Sequence, residues 1–272
     1  MPFVRVDDLV VHYELTGPAD APVVAFGNSL GTSYHLWDDN VGALVDRFRL
    51  LRYDMRGHGL TSVTPGERRA SVDTLTSDLV GLLDVLDIGR VRYVGLSIGG
   101  MVGQRFAATL PQRVEALALC ATGSQLGTAE LWNTRIAAVE KDGVASLVDG
   151  ILARWFTETT RRERPDLVAG FGTMVARTPD AGYIGGCISV RDADLRADDR
   201  RIIAPTLIIS GRDDLAAPPA AGEAMHAAIP GARLALLDGA AHILNAERPA
   251  QFNSLLATFL TDPARPLAEA IR

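Results

Sequence analysis

The sequence predicts an α/β fold, with a mostly parallel central sheet, helices on both faces and an inserted helical cap. Three observations predict it. Short apolar runs of strand length recur along the chain, bounded by turn residues and too continuously apolar to leave one face in water. Helix-period segments lie between them, which is the alternation that builds a parallel sheet. One long interval, residues 123–199, carries helical periodicity and no buried-strand run.

In chain order, Phe3 to Glu14 alternates apolar and polar residues around Asp7 and Asp8, the pattern of an antiparallel hairpin. Buried strands are expected at Val23 to Phe26, Arg49 to Tyr53, Val91 to Gly95, Val114 to Ala121, Thr206 to Ser210 and Arg233 to Leu237. A helical pattern starts near Asp38. A clearer one runs from Val72 to Leu86, where Val72, Leu75, Leu79, Leu82, Leu83 and Leu86 share a face and Ser71 is placed to cap the first turn. Another follows Ser97 and stops near Pro111. Within 123–199, helices are expected over Ala129 to Glu140, Val144 to Phe156, Arg164 to Val175 and Ala181 to Arg191, because so long a connection without its own structure is uncommon. The chain thus divides into a core, 1–122 and 200–272, and a cap, 123–199. Asp262 to Arg272 reads as a frayed tail.

A chain of 272 residues, 47% hydrophobic, has enough apolar surface for one large core. Its net charge of −6 is spread without blocks, which argues against nucleic acid or an acidic membrane surface as partner. No apolar stretch approaches the ~20 residues that span a bilayer, and the N-terminus lacks the basic and apolar regions of a signal peptide. A cytoplasmic location is the expectation. Cys120 and Cys187 lie far apart and outside C-x-x-C spacing, so two free thiols are expected, with neither disulfide nor zinc. Lys141, the single lysine, sits in the polar stretch EKDG, which argues against Schiff-base chemistry. With no glycine fingerprint, P-loop lysine or metal-ligand spacing, no cofactor is implied. Oligomeric state is not legible.

The motif G-x-S-x-G occurs twice, as GNSLG at 27–31 and GLSIG at 95–99. In a chain with 26 glycines one match carries little weight, so context must decide. A nucleophile elbow needs a strand that runs into a sharp turn and directly into a helix, with small neighbours that let the two approach. Ser97 has that setting, between VRYVG and a helix that opens with Gly99 and Gly100. Ser29 follows a good strand, but Gly31 to Trp37 intervene before the next helical pattern. A serine on such a sheet is completed by an acid and then a histidine, on loops after later strands. GRDDLAAP follows the strand ending at Ser210, and DGAAHILNAERP follows the one ending at Leu237. Only His242 comes after both a serine and an acid. His12, His58 and His226 read as structural or solvated, and His35 as a possible pocket-lining residue. Spacing favours Asp214 as the acid over its neighbour Asp213, with Asp238 a remoter choice.

Over almost its whole length the chain resembles the α/β-hydrolases, and within them it is similar to 3-oxoadipate enol-lactonase. The residues that carry the resemblance are GNSLGTS at 27–33, LRYDMRGHG at 51–59, GLSIGG at 95–100, LWNTR at 131–135, RWF at 154–156, CISVRDADLR at 187–196, ISGRDDLAAPP at 209–219 and AAHILNAERP at 240–249. The resemblance implies the α/β-hydrolase fold, a Ser97–Asp214–His242 triad, and an oxyanion hole made by the backbone N–H groups of Leu30 and Ile98. Asn28 and Ser29 stand where most of the superfamily has His-Gly. It also implies a lactone that bears a free carboxylate. Arg135 and Arg154, flanked by Trp132 and Trp155, are its candidate contacts, although an arginine beside a tryptophan is as readily a surface stacking pair. The same triad would serve a general carboxylesterase, another lactonase, a carbon-carbon bond hydrolase or a perhydrolase, and the same fold a non-catalytic small-molecule receptor.

Overall fold

The computed structural model describes residues 2–63 and 70–265, so residues 266–272 of the expected tail lie outside the described residues. The chain opens with a hairpin, β1 (Phe3–Val6) and β2 (Leu9–Thr16), whose turn carries Asp7 at φ 50°. β3 (Val23–Gly27) leads through a 3-10 turn at Tyr34–Trp37 into the one-turn α1 (Asp38–Val41), and β4 (Arg49–Tyr53) follows. α2 (Val72–Val85) is capped as expected, the Ser71 hydroxyl accepting from Thr74 N. β5 (Val91–Leu96) passes through Ser97 into α3 (Ile98–Thr109), and β6 (Val114–Cys120) comes next.

Between β6 and β7 (Thr206–Gly211) lie α4 (Ala129–Asp142), α5 (Val148–Trp155), α6 (Glu158–Glu163), α7 (Pro165–Ala176), α8 (Asp180–Asp192) and α9 (Arg196–Asp199). The helix expected over Val144 to Phe156 is two pieces, a 3-10 turn at Val144–Leu147 followed by α5. α6 was not expected; its sequence, ETTRRE, is polar all round and shows no apolar face to read. The chain ends with α10 (Pro219–Ala228), β8 (Arg233–Leu237), the one-turn α11 (Leu244–Glu247) and α12 (Pro249–Thr261). No helix among the described residues is long and apolar enough to cross a membrane.

All eight strands form one sheet in the order β1-β2-β4-β3-β5-β6-β7-β8. The β1–β2 and β2–β4 pairings are antiparallel and the other five are parallel. The inner parallel strands are buried on both faces, β7 along all six residues, which explains their largely apolar runs, while the edge strand β8 is only partly buried. From β3 the chain steps outward to β4 and then returns to the opposite side of β3 as β5. The strand order therefore reverses between β3 and β5, and the crevice beyond their carboxyl ends is where such a sheet leaves room for a ligand.

The inserted helices fold back over that edge. Gly182 of α8 lies against Gly57 backbone to backbone, and Gly186 lies against the Leu30 side chain, with no space at either for a Cβ. At the two ends of the insert, the Ser124 hydroxyl donates to Asp199, and Leu195 N donates to Ser124 O at 2.8 Å. Asp198 pairs with Arg105 of α3 at 2.9 Å. Burial pushes the Asp199 carboxyl up to about 6; the Ser124 hydrogen bond opposes this, and the charges of Asp198 and Asp194 reinforce it. The folded state therefore holds this proton more tightly than the unfolded chain, where an aspartate titrates near ~3.9. The stabilisation is complete below that value and is lost as pH rises through about 6. Between pH 4 and 6 the wild-type protein is expected to lose on the order of 1–3 kcal/mol relative to Asp199→Asn, a few °C in Tm. Parallel pH–Tm curves for the two proteins would contradict this assignment.

Candidate active site

β3 and β5 end level with one another, Gly27 paired with Gly95. The two loops that leave them are then joined. Gly99 N donates to Asn28 O at 3.1 Å, and a Cβ on Gly99 would collide with the backbone of Gly27 and Asn28. Gly95 in turn faces the Gly99 carbonyl and Gly100 faces the Thr122 side chain, each too closely for a side chain. The small residues that flank Ser97 are thus required by backbone-to-backbone packing.

Ser97 itself has φ 59° and ψ −122°, a conformation that costs a non-glycine residue about 1–3 kcal/mol. Bonds on both sides hold it there. Ser97 N donates to Cys120 O at 2.9 Å, and the Thr122 hydroxyl donates to Ser97 O at 2.7 Å. Ser97 is half-buried, whereas Ser29 is buried. The Ser29 carbonyl accepts from Thr32 N and from the Thr32 hydroxyl, which closes a turn. The two serines therefore sit in different settings, an elbow and a loop.

That loop is fixed by Asn28, whose role the sequence left open. Its Nδ2 donates to Tyr53 O at 2.7 Å and its Oδ1 accepts from Trp37 Nε1 at 2.9 Å. With the loop so held, Leu30 N–H and Ile98 N–H are close to the shared Asn28–Gly99 bond. Among the described residues no protein acceptor bonds to either. Both residues are buried, and a buried backbone donor without a protein acceptor is unusual in a native fold.

His242 reaches the site by a long loop. Past β8 the chain crosses the end of β7, where Ala240 and Ala241 lie against Gly211 and Asp213 N donates to Ala240 O at 3.0 Å. It then continues to the far side, where Asn245 Nδ2 donates to Leu36 O at 2.7 Å and to Asn40 Oδ1 at 3.0 Å. His242 lies between these two anchorages, above the carboxyl ends of the strands they bracket. Its Nδ1 bonds to Asp214 Oδ2 at 2.9 Å, and Asp214 Oδ1 accepts from Ala216 N and Ala217 N at 2.7 and 2.9 Å. Both side chains are buried. With Nδ1 directed at Asp214, the opposite edge of the imidazole, Nε2, is turned away from the carboxylate. Asp213 is exposed and contributes only its backbone, while Asp238 pairs with Arg212 at 2.5 Å.

The other histidines are otherwise engaged. His12 is buried, with Nδ1 2.7 Å from Asp54 Oδ2, and His58 is buried with Nδ1 3.0 Å from Arg56 O. His226 is exposed. His35 bonds to Asp38 and lines, with His12 and Met174, a groove of about 580 Å³ that includes none of Ser97, Asp214 and His242.

Four residues of the insert complete the picture. Arg135 lies over the Trp132 ring at 5.2 Å and donates to the Tyr183 hydroxyl at 3.4 Å, and Tyr183 packs against Gly31, next to Leu30. Trp132 also donates its Nε1 to Leu126 O at 2.7 Å. Arg154 Nη2 donates to Leu215 O at 2.8 Å, beside Asp214. Its pKa is lowered by burial and by the positive charge of Arg135, with Asp214 opposing. Among the described residues neither guanidinium has a carboxylate partner. Trp155, the fourth of the expected contacts, lies against the histidine. It is buried and stacks on His242, centroids 6.2 Å apart at 27°, because α5 ends against the histidine loop. Both thiols are free and buried, and burial pushes Cys187 up to about 12.

Residues 22–249 match the family described as alpha/beta hydrolase fold. The chain belongs to the alpha/beta-hydrolase family. This alpha/beta hydrolase is 32% identical to 3-oxoadipate enol-lactonase 2 of Acinetobacter baylyi, over 90% of its own length and 91% of that protein's. It is 28% identical to the putative carbamate hydrolase RutD of Agrobacterium fabrum, over 92% of this chain and 98% of that one. Among solved structures it is similar to the enol-lactonase from Burkholderia xenovorans LB400, with a TM-score of 0.93 and 38% identity over 96% of this chain and 100% of that one. It is an enzyme, an ester hydrolase of the enol-lactonase kind.

Proposed function

We propose that this hydrolase opens 3-oxoadipate enol-lactone to 3-oxoadipate, a step of aromatic degradation by the β-ketoadipate route, with Ser97, His242 and Asp214 as nucleophile, base and orienting acid. Residues 123–199 act as the cap that roofs the site. The pair of unpaired buried donors, Leu30 N–H and Ile98 N–H, beside a strained and half-buried serine carries the reading. Such an arrangement costs stability and is useful where negative charge develops on an acyl oxygen.

In the reaction, Ser97 Oγ attacks the lactone carbonyl while His242 Nε2 takes the hydroxyl proton. Asp214 holds the imidazole in the tautomer that can accept it and stabilises the resulting cation. The oxyanion sits between the two N–H groups, each such donor being worth about 10²–10³ in rate. The ring C–O bond then breaks. His242 returns the proton to the departing enol oxygen, which stays tethered to the acyl chain and tautomerises to a ketone. A water gives a proton to His242 and attacks the ester carbonyl; the bond to Ser97 breaks and the serine recovers its proton.

The choice of an anionic lactone is supported by the two half-buried arginines. The positive charges of Arg135 and Arg154 repel one another, and among the described residues neither guanidinium has a carboxylate in an ion pair, so a substrate carboxylate would relieve an electrostatic cost. Arg154 has one amino group committed to Leu215 O, which leaves Arg135 with the freer fork.

Ser97→Ala is expected to lower kcat on the enol-lactone by about 10⁴-fold or more, while Ser29→Ala retains most activity. The reverse ranking in a spectrophotometric lactone assay would exchange the roles of the two motifs. Arg135→Ala is expected to raise KM for the carboxylate-bearing lactone by about 10–100-fold and to change KM for a neutral phenyl ester little. Equal effects on both substrates would mean that Arg135 does not read the carboxylate.

A further inference from the structure

Glu247 closes α11, and nothing in the chemistry above uses it. It is nevertheless a buried carboxylate in which both oxygens are engaged, and the groups it engages belong to two different parts of the molecule. Oε2 accepts from Ala241 N at 2.6 Å, the amide immediately before His242. Oε1 accepts from both Thr157 N and the Thr157 hydroxyl at 2.9 Å, at the start of α6 in the cap. On the other side of the histidine, Ile243 N donates to Trp155 O at 3.1 Å, and the Trp155 ring lies along the imidazole. One residue before Trp155, Arg154 donates to Leu215 O beside Asp214. The four-residue cap segment Arg154–Thr157 thus touches the acid loop at Leu215 and the histidine loop directly at Ile243, and through Glu247 it is tied to Ala241 on the other side of the base.

We propose that Glu247 is a positioning residue for His242: its two oxygens tie the histidine loop to Arg154–Thr157, so that the base is in register with Ser97 only while the cap is seated. The direct Ile243–Trp155 bond fixes one flank of His242, and Glu247 supplies the fixed point on the other. With one flank alone the loop can pivot about the remaining anchor, and the imidazole edge is what moves. A carboxylate suits the task because it accepts from backbone N–H groups on two sides at once, which no neutral side chain of that length does. Loss of the side chain would also leave Ala241 N–H buried without an acceptor, so the loop would shift to find one.

This inference rests on His242 being the base, and the test separates the two claims. In the full-length protein, turnover of the enol-lactone and labelling of Ser97 by a fluorophosphonate are measured for wild type, Glu247→Ala and Glu247→Gln, with circular dichroism and melting curves alongside. A base out of register slows both reactions, since each needs the serine proton removed, while substrate binding is little affected. Glu247→Ala is expected to lower kcat and the labelling rate together by about 10–100-fold with KM within about threefold, because a displacement near 1 Å has effects of that size. Glu247→Gln keeps one oxygen for Ala241 N and is expected to recover at least half of that loss on a logarithmic scale. A folded Glu247→Ala with wild-type kcat, or one whose defect lies in KM, overturns the proposal. If Glu247→Ala does not fold, the glutamine variant decides: a normal kcat and labelling rate with only a lowered Tm would show a purely structural role. A wild-type protein that neither turns over nor labels overturns the hydrolase mechanism itself, and this proposal with it.

Discussion

Gly99 N–H donates to Asn28 O across the ends of two parallel strands, and the rest of the site is arranged around that contact. It requires α3 to start against the β3 loop at backbone distance, so Gly27, Gly95 and Gly99 have no room for side chains. It also forces the residue before α3 into a left-handed turn, which is why Ser97 stands out from the edge of the sheet instead of entering the core. Leu30 N–H and Ile98 N–H, on either side of that contact in the two segments, have no acceptor among the described residues. Strain and two unpaired donors together cost several kcal/mol by ordinary measures, about 1–3 kcal/mol each. The core offsets that cost: Phe26, Tyr93, Phe106 and Trp37 are fully buried around the two strands.

Geometry of this kind is assembled from segments distant in sequence, each held by backbone hydrogen bonds rather than by its own preferences. Asn28 pins one loop to the end of β4 and to Trp37. Thr122 pins the Ser97 carbonyl, and two residues further on Ser124 meets Asp199 at the far end of the insert. The elbow and the root of the insert are therefore connected through the four residues of chain after β6, Ala121 to Ser124. On the opposite side the histidine loop is held between Gly211, Leu36 and the cap. What the site demands is rigidity in four loops at once, and the polar side chains that provide it are nearly all buried.

The parallel strands were legible in the sequence because burial on both faces leaves short, largely apolar runs bounded by turn residues, and Arg49–Tyr53 and Arg233–Leu237 have the expected bounds even though Arg52 interrupts the first and the second is only partly buried. Ser97, Asp214 and His242 could be singled out in the sequence because each stands on a loop after a parallel strand, and such loops share one edge of the sheet. The His242–Asp214 bond was in reach of that reasoning, and the choice between Asp214 and Asp213 rests on which side chain turns inward. Other features carried no such signal. α6 lacks an apolar face, and Val144 to Leu147 has the periodicity of a helix but a tighter winding set by the Gly143 turn at φ 77°. The stacking of Trp155 on His242 has no sequence mark, because a tryptophan beside an arginine does not show which way it faces. Asn28, Thr122 and Glu247 act through backbone partners far away in the chain, and pairwise proximity of that sort is a tertiary fact.

The central claim is that one loop supplies a donor and the other a nucleophile. A crystal structure of the protein after reaction with a phosphonate inhibitor tests it most directly, since the phosphonyl oxygen stands in for the oxyanion of the tetrahedral intermediate. The account places phosphorus on Ser97 Oγ and that oxygen about 2.7–3.1 Å from both Leu30 N and Ile98 N. An adduct on Ser29, or a phosphonyl oxygen that bonds to neither amide, would contradict it.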